Sequence, residues 1–491
     1  MKNLKKIFLF TAIAGIFYAC DDATEIIQKG ELPESIVYET VEDMNQVLVN
    51  VYSNVTNKSI IGFTSIFTDE TAIGESNGGQ NLEDYRFNIF PTNSFAQNIW
   101  ASNYAAIAAA NRLIEGSENV IVEEGSAEEA EKNRILAEAR AIRAFAHFQL
   151  LTFFSEDLTD NNGLGVIIAD YVPVAPYTDQ LPRSTNSEVF AFIESDLDYA
   201  VENLQGGNSY LYITPNFITA LRARMELYRG NHTQAEIFAN QLISNPGYSL
   251  ASSAQAYLAI WTDQNPQENI FALARPFGQA AIADLWFFNN ATLAGGPFLE
   301  MSRSLFNKLT EVPGDFRATA FVHPSSIIAP DYQTVPDYRN SDVLVIGKYR
   351  GITGAPLNND LKIFRIVEMH FIVAEARAAA GDFAGVAAAL QTIRNARFAS
   401  AAQVPVRASA QEAWADILDE RRLELCYEGH RYIDLKRLGT LANRTVDRYV
   451  RDCEPYNACS ISVEDYRFTL PIPINELNGN FVIREQQNPG Y

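Results

Sequence analysis

The stretch from Ile417 to Leu438, ILDERRLELCYEGHRYIDLKRL, decides how this chain folds. At 3.6 residues per turn its apolar side chains fall on one broad face, which predicts a helical segment with a buried side. Gly429 weakens a helix by about 1 kcal/mol relative to alanine, so a close backbone approach or a bend between two helices is expected there. Charged residues beside the apolar face lie three or four positions apart, where opposite charges pair. The stretch therefore predicts a structural ion-pair network, and acid/base chemistry by Glu420, Glu424 or Glu428 is the alternative.

An internal repeat extends the helical pattern to both halves of the chain. PNFITALRARMELYRGNHTQAEIFANQLI (Pro215–Ile243) aligns on its glycine with IVEMHFIVAEARAAAGDFAGVAAALQTIR (Ile366–Arg394). Small or apolar residues match at the positions where two antiparallel helices touch, which is the pattern of a tetratricopeptide hairpin. The predicted fold is dominated by α-helix, with a tetratricopeptide-like hairpin scaffold, long irregular loop insertions and minor β structure.

Two motifs resemble one known family. ERRLELCYEGHRYIDLKRLG resembles the signature of the SusD/RagB-like nutrient-binding outer-membrane lipoproteins of Bacteroidetes, with Tyr432 where Trp or Phe is commoner. The C-terminal stretch resembles the family's LPIP and QNPGY motifs at Leu470–Pro473 and Gln487–Tyr491. The resemblance implies a surface lipoprotein that binds a nutrient oligomer without a cofactor and passes it to a SusC-like TonB-dependent transporter.

The first residues have the composition of an export signal. Lys2, Lys5 and Lys6 precede the apolar run Ile7–Ala19, which is too short to span a bilayer and is typical of a signal peptide. We expect a signal peptide at 1–19 and lipidation of Cys20, which anchors the protein to the surface of the outer membrane.

The remaining boundaries follow the periodic and irregular stretches. A polar tether is expected at 20–38, and the body at 39–491. Within the body we expect helical repeats at about 41–245 and 361–440, a ligand-side loop insert at about 246–360, and a C-terminal segment at 441–491.

Charge and cysteine content restrict the function further. With 38 basic and 60 acidic residues the net charge is -22, which excludes the positive surface that nucleic-acid binding requires. Cys453 and Cys459 flank a short loop and are expected to form a disulfide in an exported protein. No zinc-type spacing is present, and the acidic cluster Asp157–Asn162 favours an Asx turn over a calcium site.

The candidate ligand contacts come from two irregular stretches, the loop Asp69–Asn93 and the insert. Five aromatic residues of the insert look exposed: Trp286, Phe287, Phe288, Tyr332 and Tyr338. Each ring taken alone is expected to pack, but together, beside Asn and Gly, the rings are the candidate surface for stacking on sugar faces. Trp100, at helical spacing to other large residues, is expected in the core. The predicted ligand-binding residues are Asn77, Asp84, Tyr85, Arg86, Trp286, Phe288 and Tyr338.

Three functions remain open at this level. Capture of an oligosaccharide or polysaccharide is favoured by the aromatic loops, and capture of peptides is the alternative within the same family. An exported glycoside hydrolase is disfavoured because no HExxH or phosphate-loop motif is present. A scaffold without a ligand of its own is the third possibility.

Overall fold

Helices dominate this computed structural model, as the sequence periodicity predicts. The structure describes residues 37–173, 180–207, 209–275, 282–287, 296–352, 355–356 and 358–491. The helices are α1 Val41–Asn54, α2 Lys58–Phe67, α3 Leu82–Tyr85, α4 Ser94–Gly116, α5 Ala127–Phe154, α6 Asn186–Asn203, α7 Pro215–Tyr228, α8 His232–Ile243, α9 Ala254–Ile260, α10 Arg303–Thr310, α11 Phe316–Phe321, α12 Tyr338–Ser341, α13 Ile366–Ala379, α14 Phe383–Arg397, α15 Ala410–Leu425, α16 Arg431–Ala442, α17 Val450–Cys453 and α18 Ile474–Gly479.

Side-chain caps fix where several helices begin. Thr185 caps α6: its side chain accepts a hydrogen bond from the Glu188 backbone N–H, and the Glu188 carboxylate accepts one from the Thr185 backbone N–H. Ser187, whose side chain is also of a type that caps helices, lies inside the first turn of α6 and is not its cap. Trp100 lies in the core, with 5% of its surface exposed, and its indole N–H donates to Glu476.

The two repeats form stacked hairpins. α7 and α8 join at Gly230, and α13 and α14 join at Gly381. Both glycines have positive φ, 80° and 74°, a conformation that side chains disfavour. α8 packs against α13, so the two hairpins share one core. The tetratricopeptide-like scaffold is confirmed.

The β structure is minor, and the described residues contain three antiparallel two-stranded ladders. β1 Thr71–Ile73 pairs with β3 Leu299–Met301, β2 Asn269–Leu273 with β6 Leu361–Arg365, and β4 Gly351–Ile352 with β5 Ala355–Pro356. The β1–β3 ladder ties the loop 69–93 to the insert. Much of that loop is therefore buried, although its lack of periodicity predicted an irregular surface segment.

The signature stretch forms α15, a bend and α16. Gly429 lies in the bend with φ 89°, and a Cβ there would lie 2.9 Å from the Ile60 Cγ2 atom of α2. The predicted bend and the predicted close backbone approach are both present.

The charges of this stretch are buried and paired. The Glu424 carboxylate accepts hydrogen bonds from Arg397 and Arg365, each at 2.9–3.0 Å. Glu428 lies 2.8 Å from the Lys348 amine, and Arg365 also binds it at 2.7 Å. The predicted structural network is confirmed, but its partners come from the insert and the second repeat rather than from neighbours on the same helix.

Two other sequence expectations concern local structure. Asp157 and Asp160 accept hydrogen bonds from the backbone N–H groups of Thr159 and Asn162, which are Asx turns. The described residues contain no cluster of three or more His, Cys, Asp or Glu side chains that could hold a metal ion. Among them, no helix has the length and apolar character needed to cross a bilayer. Cys20, the signal peptide and nearly all of the tether lie outside the described residues.

Candidate functional site

Four half-buried tyrosines from two distant parts of the chain meet on one side of the molecule. Tyr332 and Tyr338 come from the insert, and Tyr449 and Tyr456 come from the C-terminal segment. The Tyr449 ring lies 5.5 Å from that of Tyr332 and 6.2 Å from that of Tyr338, between centroids. Tyr456 and Tyr338 line the same small pocket. These four residues, here named the tyrosine surface, present apolar ring faces beside polar hydroxyl groups.

Asp452 holds the two halves of the tyrosine surface together. Its carboxylate accepts hydrogen bonds from the Tyr338 hydroxyl at 2.6 Å and from the Arg303 backbone N–H at 2.9 Å. Its backbone carbonyl accepts one from the buried Tyr85 hydroxyl at 3.1 Å. The next residue, Cys453, forms a disulfide with Cys459, so a covalently closed loop begins directly after Asp452.

Arg451 fixes the insert loop that carries the first two tyrosines. Its guanidinium donates hydrogen bonds of 2.7 Å to the carbonyls of Tyr332 and Val335. The same group lies 4.6 Å from the Tyr338 ring centroid, within the range of a cation–π interaction. Arg451 therefore uses its charge to order the surface.

Arg339 links the tyrosine surface to the loop 69–93. Its guanidinium donates to the Gly74 carbonyl at 2.6 Å and lies 3.3 Å from the half-exposed Glu75 carboxylate. Its Nε atom is buried and has no hydrogen-bond partner among the described residues. The Arg339 side chain as a whole is 36% exposed, so its positive charge lies close to solvent beside the tyrosine surface.

The pocket beneath Tyr338 is lined by three carboxylates. Its volume of about 20 Å³ is enough for one water molecule. Asp342 pairs with Arg303 at 2.8 Å. Burial raises the pKa of Glu300 to about 8 and the pKa of Asp452 to about 6. Burial and the adjacent Asp452 charge also raise the pKa of the Tyr338 hydroxyl, so Tyr338 is a hydrogen-bond donor at neutral pH.

The structure brings part of the predicted contact set to this surface. Tyr338 belongs to the tyrosine surface, and Arg86 is an exposed cation on the adjoining loop, 3.8 Å from Glu83. The ligand contacts predicted for these two residues stay predictions. Phe288 lies outside the described residues.

Two of the residues predicted to contact the ligand have buried rings in this structure. Tyr85 is 0% exposed and carries the Arg448 guanidinium 3.8 Å from its ring centroid. Trp286 is 1% exposed and packs against Tyr427 at 5.6 Å. Neither ring has a free face for a ligand, and Phe287, which also looks exposed in the sequence, is 4% exposed.

Asn77 and Asp84 support the loop instead of facing solvent. Asn77 donates a 2.9 Å hydrogen bond to the Phe298 carbonyl, next to the β1–β3 ladder. Asp84 accepts a 2.6 Å hydrogen bond from Asn93, the residue that caps α4. Their amide and carboxylate groups are therefore used within the fold, and the ligand contacts predicted for these two residues stay predictions.

Sequence reasoning missed the C-terminal half of the surface. Tyr449, Arg451 and Tyr456 lie beside or within the loop closed by Cys453 and Cys459. Aromatic residues in a loop closed by a disulfide indicate an ordered surface, and this signal can be read from the sequence. What the sequence lacked was any indication that this loop packs against residues more than a hundred positions earlier.

Sequence comparisons relate the chain to two SusD-like families. The SusD family matches residues 329–491, and a second SusD-like family, described as starch-binding and associating with the outer membrane, matches residues 28–220. The chain is therefore similar to SusD families in both its N-terminal and its C-terminal parts. The signature stretch around Gly429 and the C-terminal motifs both lie within the first of these matches.

Individual members of the SusD family resemble the chain over most of its length. SusD-like protein P38 of Formosa agariphila is 22% identical, covering 91% of this chain and 95% of that protein. A SusD superfamily structure from Bacteroides thetaiotaomicron is 26% identical, with a TM-score of 0.77 over 92% of this chain and all of its own. A structure described as a laminarin-binding SusD-like protein is 20% identical, with a TM-score of 0.68, and covers 92% of this chain and all of its own.

Proposed function

We propose that this SusD-like protein captures an oligosaccharide or polysaccharide at the tyrosine surface. The observation that carries the proposal is the assembly of four half-exposed tyrosine rings around Asp452. Phenol rings stack on the apolar faces of sugars, and their hydroxyl groups and the neighbouring arginines bind sugar hydroxyls. The description of one matching family as starch-binding and of one similar structure as laminarin-binding supports carbohydrate as the ligand class.

The proposed mechanism is binding without bond cleavage. Asp452 is held by Tyr338 and Arg303, and Glu300 is 7% exposed and accepts from the Leu344 backbone N–H. These carboxyl groups order the pocket beneath the rings, whereas hydrolysis of a glycoside requires two carboxyl groups facing the scissile bond. The protein then delivers its ligand to a SusC-like TonB-dependent transporter.

Attachment to the outer membrane through lipidated Cys20 completes the proposal. The support is the short apolar run before Cys20 and the outer-membrane association in the description of one matching family. Metabolic labelling with a radioactive fatty acid tests it. Label that persists in Cys20→Ala would contradict this anchor.

The binding proposal is tested by calorimetric titration of the protein without its first 20 residues. We expect saturable binding of laminari- or malto-oligosaccharides that weakens about tenfold or more in Tyr338→Ala and in Tyr449→Ala, because a ring stacking contact is lost. Ile121→Ala, at an exposed apolar position far from the rings in sequence, is the control and should bind as the unaltered protein does. Binding of peptides alone would contradict the carbohydrate class, and release of shorter sugars would contradict the absence of catalysis.

A further inference from the structure

A second cleft, apart from the tyrosine surface, lies between the first repeat hairpin and strand β2. Its volume is about 300 Å³, equivalent to about ten water molecules. Three asparagines, a glutamine and two tyrosines line it, together with small or apolar residues: Asn216, Asn245, Asn269, Gln267, Tyr210 and Tyr248. No Asp, Glu, Lys, Arg or His belongs to the described lining of this cleft.

This uncharged lining distinguishes the cleft from the other large concavities of the described molecule. The cleft of about 540 Å³ beside α16 contains Lys436, Glu156 and Glu464, and the cleft of about 330 Å³ beside α15 contains Arg394 and Arg407. A ligand with a net charge finds an ionic partner in those two clefts. The amide-lined cleft offers only neutral donors and acceptors.

The amide groups of the cleft are held on regular structure. Asn216 lies in the first turn of α7 and donates a 3.0 Å hydrogen bond to the Tyr248 hydroxyl. Asn269 begins β2 and is 5% exposed, and its side-chain oxygen has no hydrogen-bond partner among the described residues. Side chains on helices and strands keep a fixed geometry.

We propose that this cleft is a second binding site, specific for an uncharged oligosaccharide. Two of the amides also bond within the fold, since the Asn245 side-chain oxygen accepts from the Gly247 backbone N–H and the Gln267 amide donates to the Ser249 carbonyl. An amide has two N–H donors and two acceptor positions, so the positions that remain can pair with sugar hydroxyls, which are also both donors and acceptors. The rings of Tyr210 and Tyr248 supply apolar faces beside those amides. The absence of ionic side chains disfavours uronic acids and sulfated sugars, whose charges would be desolvated without a partner. The inference shares with the proposed function only the assumption that the protein binds carbohydrate.

The test removes the tyrosine surface first, so that the two sites are measured separately. In the variant Tyr338→Ala/Tyr449→Ala, calorimetric titration with laminarihexaose and maltohexaose should still show saturable binding of one of them. Adding Asn216→Asp places a carboxylate in the cleft and should weaken that residual binding about tenfold. An acidic residue in the first turn of α7 is favourable to the helix, so the variant should fold. Asn240→Asp, on the exposed face of α8, is the matched control and should leave the residual binding unchanged.

Each outcome decides between the two sites. Loss of all hexaose binding in the tyrosine variant, or residual binding indifferent to Asn216→Asp, overturns the second site. Binding unaffected by the tyrosine substitutions but abolished by Asn216→Asp supports the second site and contradicts the tyrosine surface as the binding site. Residual binding of hexagalacturonate in place of the neutral hexaoses overturns the specificity for uncharged sugars. Absence of any hexaose binding by the unaltered protein at millimolar concentration overturns both proposals.

Discussion

Glu424 shows, at the scale of one residue, why the signature stretch is structural. Burial alone would raise the pKa of this carboxyl, but Arg397 and Arg365 hold it well below its usual range. The Tyr257 hydroxyl donates a further hydrogen bond of 2.9 Å to it. A carboxylate that is 0% exposed and bound to three side chains has no access to a substrate. The alternative of acid/base chemistry at this residue is therefore excluded by its surroundings.

Substitution of Glu424 by Gln should cost about 3 kcal/mol of unfolding free energy, because the buried Arg397 and Arg365 would lose one of their counterions and keep only Glu268 and Glu428. Chemical denaturation followed by circular dichroism measures the loss. Glu115→Gln, at an exposed position on α4, is the control and should change stability by less than about 0.5 kcal/mol. A loss for Glu424→Gln as small as that of the control would show that the buried network contributes little.

The density of charge in the signature stretch predicted a network but could not name the partners. Arg431 pairs with Asp69 at 2.8 Å, across more than 360 positions of sequence, whereas the helical spacing suggested Glu428. Asp434 and Arg437 do pair within the helix, at 3.3 Å. Spacing along one helix therefore predicts only ion pairs within that helix. A buried charge also takes partners from distant parts of the chain, which the spacing does not identify.

At the scale of elements, the helices were predictable and the irregular segments were not. Apolar positions recur at helical spacing in α1, α4 and α5, because a helix that buries one face must repeat its apolar positions. The stretch VLVIGKYR has the composition of a strand, but in the described residues it forms single bridges at Val343 and Ile346. Such a segment takes its conformation from its neighbours, which one sequence does not identify.

Three glycine-to-alanine substitutions separate the roles of backbone conformation and packing. Gly479 has space around its Cβ position and no positive φ, so Gly479→Ala should be neutral or slightly stabilising. Gly381 has φ 74° and equally open space, so Gly381→Ala should cost about 1–2 kcal/mol. Gly429→Ala should cost more than Gly381→Ala, because a left-handed residue would also meet Ile60 at 2.9 Å. Thermal unfolding of the three variants measures the order, and equal melting temperatures for Gly381→Ala and Gly429→Ala would contradict the packing role.

At the scale of the whole molecule, the candidate site is a product of tertiary contacts. The loop 69–93 and the insert were predicted as ligand-side segments, and both reach the tyrosine surface, through Arg339 and Tyr338. The burial of Tyr85 and Trp286 was not predicted, because an aromatic residue in an irregular segment packs inward or outward according to what covers it. Composition identified the segments that build the site, and only the packed chain shows which of their rings remain accessible.

Buried carboxyl groups near this surface make the stability of the molecule depend on pH. Burial raises the pKa of Glu300 to about 8, from an ordinary value of 4.5. Between these two pH values the folded protein keeps a proton that the unfolded chain has released, so this group stabilises the fold less as pH rises. Other buried groups titrate in the same range, among them Glu70 with a pKa raised by burial to about 7 and Lys436 with a pKa lowered by burial to about 7. Since the two act in opposite directions, the melting temperature of one protein alone cannot isolate Glu300.

The variant Glu300→Gln isolates the contribution of Glu300 to the pH dependence of stability. Glutamine mimics the neutral carboxyl, and the contributions of the other titrating groups cancel in the difference between the two proteins. We expect the stability of Glu300→Gln relative to the unaltered protein to increase between about pH 5 and pH 8, by up to about 1.4 kcal/mol per pH unit, and to level off above pH 8. Calorimetric unfolding of both proteins across this range measures the difference. Glu454→Gln, an exposed substitution in the Cys453–Cys459 loop, should show a difference that does not vary with pH. A constant difference for Glu300→Gln as well would mean that the carboxyl beneath Tyr338 is already ionised near neutral pH, and that the pocket is open to water.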